Sequence, residues 1–449
     1  MSENEFPISK ELKEFFKKWN VQIWDEIELK TETQNFQGVI LPRYELARSD
    51  HLSIKLKTGY NIGIPLSNVI HVEKIGHSEG KYKIPVEKLE KDFRKPKIVI
   101  LGCGGTIASR IDYRTGGVIP AITPEELQAL YPEINTIANI STKILFEKFS
   151  EDLDLSYWMK VIHEIRRLIN EEKVDGIVVA HGTDTMSYAA ATLALGLQGV
   201  PIPVLITGSQ RSSDRPSSDS FRNLADAVFV AASGEFTGVA LVMHSGSGDE
   251  TGAIHNPCRV RKMHTSRRDA FQSIGTKPWG QASFPDRTIT WNIKTKKRSK
   301  KCELPSEEPK FEKRVALVIT YPGITASMLE ALITQETRGI VISGTGLGHA
   351  PKQLLPSIRQ AIDKGIIVVM TSQCLNGYIG MNVYDRGREL LALGVIPGGD
   401  LLPETALIKL AYALGQGKTY KEQVEIFKTN IVGEYMTKEE YEVFPIPTN

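Results

Sequence analysis

The polar and apolar positions change period twice along the chain. Near the N-terminus Leu12, Phe15, Phe16 and Trp19 recur among charges, which is an amphipathic helical spacing. Ser9 followed by Lys10 supplies a start, so a short helix is predicted there. The period then falls to two. In DEIELK, Ile27 and Leu29 alternate with charges; in HLSIKLK, Leu52, Ile54 and Leu56 alternate with Ser53, Lys55 and Lys57. Such alternation predicts half-buried strands. Thr58-Gly59 reads as a turn and YNIGIP as the return strand. About five short strands fit between Val21 and Ile75, and a small SH3-like or Tudor-like β-barrel is the closure that removes exposed edges. The polar stretch from Gly76 to Lys97 reads as a linker.

From Pro96 the pattern changes again. KIVILGCGG is a continuous apolar run ending in glycines, as in a strand buried on both faces of a parallel sheet. Similar runs recur as GIVVAHG, PVLITGS, GVALVMHSG, VALVITYPG, GIVISGTG and IIVVMTSQ. Helical patterns lie between them. In Tyr157 to Asn170, Trp158, Val161, Ile162, Ile165, Leu168 and Ile169 form one apolar stripe; Met186 to Leu197 is rich in Ala and Leu. Strands alternating with helices predict a doubly wound α/β architecture. One segment, Trp291 to Pro309, interrupts it. Six basic residues occupy the eight positions Lys294 to Lys301, and Glu303, Glu307 and Glu308 follow. A solvated connection is the plain reading, and an RNA or partner contact the functional one. The division predicted is 1–95 for barrel and linker, 96–293 for a larger α/β lobe, 294–310 for the basic connection and 311–449 for a smaller α/β lobe.

Composition narrows the class. The 449 residues are about three times a typical ~150-residue domain. With 41% hydrophobic and 24% charged residues, collagen, wholesale disorder and a coiled coil are excluded. A net charge of +2 argues against a surface coated for nucleic acid, although a local basic patch stays open. Cys103, Cys258, Cys302 and Cys374 have no CxxC spacing, which argues against a disulfide framework or structural zinc and suits a reducing compartment. No run of about 18 apolar residues occurs, and the N-terminus lacks the apolar core of a secretory signal. A soluble, cytoplasmic protein is expected.

In doubly wound folds ligands bind beyond the carboxyl ends of the strands. Two such ends are unusual. GCGGTIAS, Gly102 to Ser109, has glycines that admit a ligand close to the backbone, and Thr106 presents a hydroxyl just beyond the strand. Neither GxGxxG nor GxxxxGK[ST] is present, so this is neither a dinucleotide cradle nor a P-loop. VVAHGTDTMS, Val178 to Ser187, places Thr183, Asp184 and Thr185 between a buried strand and a helix. A buried Asp beside a hydroxyl there is poised to bind an amine or orient a proton relay. Hydroxyl nucleophiles need a base, and a lysine held neutral can serve. RVRKMHTSRRDAF, Arg259 to Phe271, supplies Lys262; Arg259, Arg261, Arg267 and Arg268 would each disfavour a further positive charge on it. Each piece alone reads as a turn or a helix cap. Their combination points to chemistry.

GGTIAS (Gly104 to Ser109) and HGTDTM (His181 to Met186) resemble the two signature motifs of the L-asparaginase family, and the RKMHTS tract follows at matching spacing. The resemblance runs from Lys97 to the C-terminus and implies an asparaginase-like two-lobe body whose larger lobe is catalytic. It implies hydrolysis of a side-chain amide through a threonine nucleophile and an acyl-enzyme. Thr106 matches the nucleophile. Thr183, Asp184 and Lys262 match a Thr–Lys–Asp triad, and Ser150 matches a contact to the substrate carboxylate. Asp184 would also meet the substrate amino group. Gly105 and Gly182 would lie against the substrate, and backbone N–H groups near Thr183 would form the oxyanion site.

A barrel ahead of such a body resembles the D-type branch of this family, found in archaeal glutamyl-tRNA(Gln) amidotransferases. That resemblance implies hydrolysis of glutamine, with the ammonia passing to a partner chain, the E subunit. The partner would use ATP and Mg to activate Glu-tRNA(Gln) and would make most of the tRNA contacts. A homodimer within a D2E2 heterotetramer is implied, with no metal or cofactor on this chain. Departures from the family pattern are Cys103 ahead of the GGT, Val118 where a tyrosine is common, with Tyr113 as the substitute, and Gly348-His349 in place of Gly-Asn. The alternatives are a free-standing L-asparaginase, a cysteine amidotransferase built on Cys103 and His181, and a non-catalytic RNA-binding scaffold.

Overall fold

The computed structural model describes residues 8–32, 34–42, 50–56, 61–77, 92–104, 109–111, 118–120, 132–211, 218–298, 304, 307–333 and 336–436. The Thr58-Gly59 turn lies outside them.

The N-terminal helix α1 spans Lys10–Trp19. Ser9 caps it by accepting from the Leu12 N–H at 3.2 Å, and Asn20 ends it in the left-handed region at φ 52°. Its apolar stripe buries Leu12 and Phe15 on an antiparallel sheet of β1 (Asp25–Thr31), β2 (Asn35–Ile40), β3 (His51–Leu56), β4 (Asn61–Pro65) and β5 (Val69–His77). The strand order is β4-β3-β2-β1-β5, so the last strand returns beside the first. Ile27, Leu29, Ile40, Leu52, Ile54, Ile64 and Val72 share one core with the helix, as the period-two pattern requires.

The larger lobe is an eight-stranded sheet. Its parallel part comprises β6 (Lys97–Gly102), β9 (Asn139–Ile144), β10 (Gly176–Ala180), β11 (Pro203–Thr207) and β12 (Gly238–His244), ordered β9-β6-β10-β11-β12. A short separate hairpin, β7 (Ser109–Ile111) with β8 (Val118–Pro120), follows β6 in the chain. Antiparallel β13 (Gly252–His255), β16 (Gly280–Ser283) and β17 (Thr288–Trp291) extend the sheet.

The apolar runs alternate between two covered faces. Val99, Leu101, Ile177, Val179, Val204 and Ile206 pack under α2 (Leu155–Arg167) and α3 (Met186–Gly196). Ile98, Ile100, Val178 and Leu205 pack under α4 (Ser220–Ser233). Fully burying each such side chain contributes roughly 1.5–3 kcal/mol, which makes this sheet the rigid base for whatever its loops carry. Two further strands, β14 (Val260–Lys262) and β15 (Phe271–Ser273), pair among the described residues only with each other and form a ribbon apart from the main sheet.

The smaller lobe is a parallel sheet of β18 (Val315–Ile319), β19 (Gly339–Gly344), β20 (Ile367–Ser372) and β21 (Ile396–Pro397). Helices α5 (Ala326–Ile333), α6 (Leu355–Asp363), α7 (Asp385–Leu393), α8 (Pro403–Gln416) and α9 (Tyr420–Lys428) cover it. Helix α8 joins the lobes. Ile408 and Ala411 enter the core of the larger lobe, while Ala406, Leu410 and Ala413 enter that of the smaller.

The basic connection is not wholly solvated. Lys294, Lys296 and Lys297 are exposed, but the Arg298 N–H donates to the Gly234 carbonyl at 2.9 Å. Its guanidinium also donates to the Asp175 carbonyl at 3.2 Å and lies 3.4 Å from the Asp175 carboxylate. This docking ties the connection to the larger lobe. Among the described residues, no helix is long and apolar enough to cross a membrane.

Candidate active site

The carboxyl end of β10 runs directly into the loop His181 to Thr185 and then into α3. Thr183 is buried there, 5% exposed. The adjacent Asp184 is not buried: its side chain is 66% exposed, contrary to the sequence expectation. Burial continues past the strand through His181, Gly182 and Thr183 and ends at Asp184, which turns outward. The Thr185 hydroxyl does not cap α3; it donates to the Ser150 carbonyl at 2.7 Å. That bond fixes the turn carrying the buried Ser150 against the Thr183 loop.

Lys262, the last residue of β14, reaches this loop from across the chain. Its Nζ donates to Thr183 Oγ1 at 2.8 Å and to Asp184 Oδ1 at 2.8 Å. Thus three of the four residues expected to be catalytic meet. Thr106, the fourth, lies outside the described residues, as do Gly105 and Tyr113. The four arginines around Lys262 do not act as expected. Arg259 pairs with Asp400 at 2.8 Å, Arg261 with Glu404 at 3.6 Å, Arg267 with Asp269 at 2.7 Å and Arg268 with Asp249 at 2.6 Å. Their fields are largely offset by these carboxylates, and the charge Lys262 faces at contact is that of Asp184.

Two glycines make the close packing possible. Gly104, at φ +79°, is where a Cβ would come within 2.1 Å of the Lys148 carbonyl. At Gly208 a Cβ would lie 2.4 Å from the His181 carbonyl and 3.3 Å from Thr183 Cγ2. His181 is a support for the loop. Its Nε2 accepts from the Trp158 indole N–H at 3.1 Å, and its Nδ1 donates to the Gly182 carbonyl at 2.7 Å. Both ring nitrogens are used by the neutral form, and burial pushes the ring down to about 4. Cys103 is fully buried and burial pushes its thiol up, so neither a thiolate nor a free base is available for cysteine chemistry.

Lys262 and Asp184 open onto a cleft of about 400 Å³, also lined by Tyr188, Arg261, His264 and Glu404. Burial raises the Glu404 carboxyl above its ordinary range, opposed by Arg261. Tyr188 is likewise raised, first by burial and then by Glu404. Sequence reasoning does not single out Tyr188, Glu404, Trp158 or Gly208 as site residues. Only Tyr188, within the helix after HGTDTM, has a positional signal.

Similar curated proteins are numerous. The D subunit of glutamyl-tRNA(Gln) amidotransferase from Pyrococcus abyssi is 44% identical over 94% of this chain and 96% of its own. Its counterpart in Metallosphaera sedula is 42% identical over 94% and 95%. The chain belongs to the D-subunit family of glutamyl-tRNA(Gln) amidotransferases. The family model "GatD N-terminal domain" matches residues 21–75, "Asparaginase, N-terminal" matches 97–297, and "Glutaminase/Asparaginase C-terminal domain" matches 314–427. As a member of the D-subunit family it is an asparaginase-like amidohydrolase subunit.

Solved asparaginases share the body. The L-asparaginase of Thermococcus kodakarensis is 30% identical, with a TM-score of 0.67, and covers 76% of this chain and 100% of its own. L-asparaginase I of Vibrio cholerae is 29% identical, with a TM-score of 0.66, over 76% and 99%. Membership of the D-subunit family accounts for the remaining N-terminal sheet.

Proposed function

We propose that this chain hydrolyses the side-chain amide of glutamine and supplies the ammonia to a partner subunit that amidates Glu-tRNA(Gln). The observation that carries the reading is the contact of Lys262 Nζ with both Thr183 Oγ1 and Asp184 Oδ1. A hydroxyl in contact with an amine is the arrangement that moves a proton to and from a reacting group.

In the reaction, Thr106 Oγ attacks the amide carbonyl carbon. Its proton passes through the Thr183 hydroxyl and Lys262 to the amide nitrogen. The C–N bond then breaks, ammonia leaves and a glutamyl ester remains on Thr106. Water hydrolyses that ester, releasing glutamate and returning the proton to Thr106. Asp184, exposed at the cleft and bonded to Lys262, binds the substrate amino group and holds Lys262 in place. Ser150 meets the substrate carboxylate. Gly105 and Gly182 border the substrate, and backbone N–H groups near Thr183 stabilise the oxyanion.

ATP, magnesium and most tRNA contacts belong to the partner, the E subunit, in a D2E2 assembly. No cofactor is assigned to this chain. An ammonia-release assay with glutamine and asparagine, with and without the E subunit and Glu-tRNA(Gln), tests the reading. Stimulated release from glutamine is expected. Equal, partner-independent release from asparagine would instead make the chain a free-standing asparaginase.

A further inference from the structure

The residue that reaches Thr183 stands on a weakly supported strand. β14 is three residues long, pairs among the described residues only with β15, and is outside the eight-stranded sheet. A two-stranded ribbon by itself is marginal in water. Yet a proton relay needs the lysine amine held to within a fraction of an ångström.

The support comes from the other lobe. Ahead of the strand, the Asn256 amide donates to the Gly433 carbonyl at 2.9 Å, and the Thr405 hydroxyl donates to the Cys258 carbonyl at 2.8 Å. Arg259 is 3% exposed and donates through Nη1 to Asp400 Oδ2 at 2.8 Å and to the Glu434 carbonyl at 3.1 Å. Its Nε donates to the Ile274 carbonyl at 3.1 Å, beside the partner strand of the ribbon. One step before Lys262, Arg261 faces Glu404 across 3.6 Å.

The residues alternate as a strand demands. Arg259 and Arg261 turn to carboxylates of the smaller lobe, while Val260 enters the larger core and Lys262 reaches Thr183. Asp400, Glu404 and Thr405 lie immediately before and within the first turn of α8, the helix that packs into both lobes. A rigid element therefore connects the smaller lobe to the amine.

We propose that Asp400 and Glu404 of the smaller lobe are positioning residues that set the Lys262 amine against Thr183, acting through Arg259 and Arg261. This rests on the reading of Lys262 as part of the proton relay. It gives the smaller lobe, which contributes none of the triad, a defined part in turnover.

The two carboxylates differ usefully as tests. Asp400→Asn leaves Arg259 as a buried charge without its partner, so it can unfold the protein. Glu404→Gln keeps the shape, and its partner Arg261 is 40% exposed, so the fold should persist. In the complex with the E subunit, glutamine hydrolysis is measured for wild type, Lys262→Arg, Glu404→Gln, Glu404→Asp and Thr405→Val, with folding followed by circular dichroism and thermal melting.

The expected result is a fall in kcat of about 10- to 100-fold for Glu404→Gln, with KM within twofold and the melt retained, since small misplacements of a reacting group cost about this much. Thr405→Val should lower kcat in the same way. Glu404→Asp keeps the charge on a shorter side chain, so its kcat should fall between those of wild type and Glu404→Gln. A kcat within twofold of wild type in folded Glu404→Gln and Thr405→Val overturns the proposal. So does a raised KM with unchanged kcat, which would make Glu404 a substrate contact. If wild type itself releases no ammonia, or Lys262→Arg is fully active, it is the underlying functional reading that fails.

Discussion

Lys262 Nζ donates a hydrogen bond of 2.8 Å to Thr183 Oγ1, joining a three-residue strand to the loop after β10. The hydroxyl, rather than its methyl group, is what the contact uses. Thr183→Ser should therefore keep kcat for glutamine hydrolysis within about tenfold of wild type, whereas Thr183→Val should lower it by about 10²–10⁴-fold. Steady-state ammonia release from the partner-bound protein checks this. Equal rates for the two variants would remove the hydroxyl from the relay.

Asp184 is both exposed and bonded to Lys262. It is thus asked to do two things, and its replacement should show both. Asp184→Asn should raise KM and lower kcat, each by roughly 10-fold or more, given about 1.5–3 kcal/mol for a hydrogen bond to a charged group. An amide analogue lacking the α-amino group should show little of the KM effect. A KM increase of the same size with that analogue would mean that Asp184 does not meet the amino group.

Cys103 is sealed beneath the site, with its N–H bonded to the Ala180 carbonyl at 2.8 Å. Cys103→Ser should leave glutamine hydrolysis intact. Burying the hydroxyl should lower stability by about 1–3 kcal/mol. Activity and a chemical-denaturation midpoint, measured together, separate the two effects.

The helix stripe at 157–170 and the doubly buried runs are readable because their signals are local: spacing decides which face is covered. The HGTDTM motif likewise places Thr183 at a strand end. What the sequence does not convey is pairing over distance. Arg259 and Arg261 read as unopposed charges near Lys262 because Asp400 and Glu404 lie far along the chain, in another lobe. Arg298 reads as solvated for the same reason, since Asp175 belongs to an earlier loop. Asp184 is misplaced for a different reason. Beyond the end of the β10 ladder burial continues through Thr183, and HGTDTM carries no period from which to read that Asp184 is the side chain that turns outward.

Burial should also make stability depend on pH. It pushes His181 and His255 from an ordinary 6.5 down to about 4. Between these values the unfolded chain takes up protons that the folded chain does not. The stabilisation is thus complete above pH 6.5 and is lost as pH falls toward 4, at most roughly 3 kcal/mol for each ring. Asp226, pushed up to about 6 by burial, works in the opposite direction over the lower part of that range. His255→Gln should therefore decline less steeply than wild type in thermal melts taken from pH 7.5 to 4.5. Parallel declines would show that His255 does not titrate between its folded and unfolded values.

The most direct test of the central claim is the turnover of Lys262→Arg in the assembled, Glu-tRNA(Gln)-bound complex. Arginine carries a permanent positive charge and can still pair with Asp184, but its guanidinium does not give up a proton in proteins. The protein should fold, bind its partner and release ammonia from glutamine at least about 10²-fold more slowly than wild type. Normal ammonia release from folded Lys262→Arg would contradict the account.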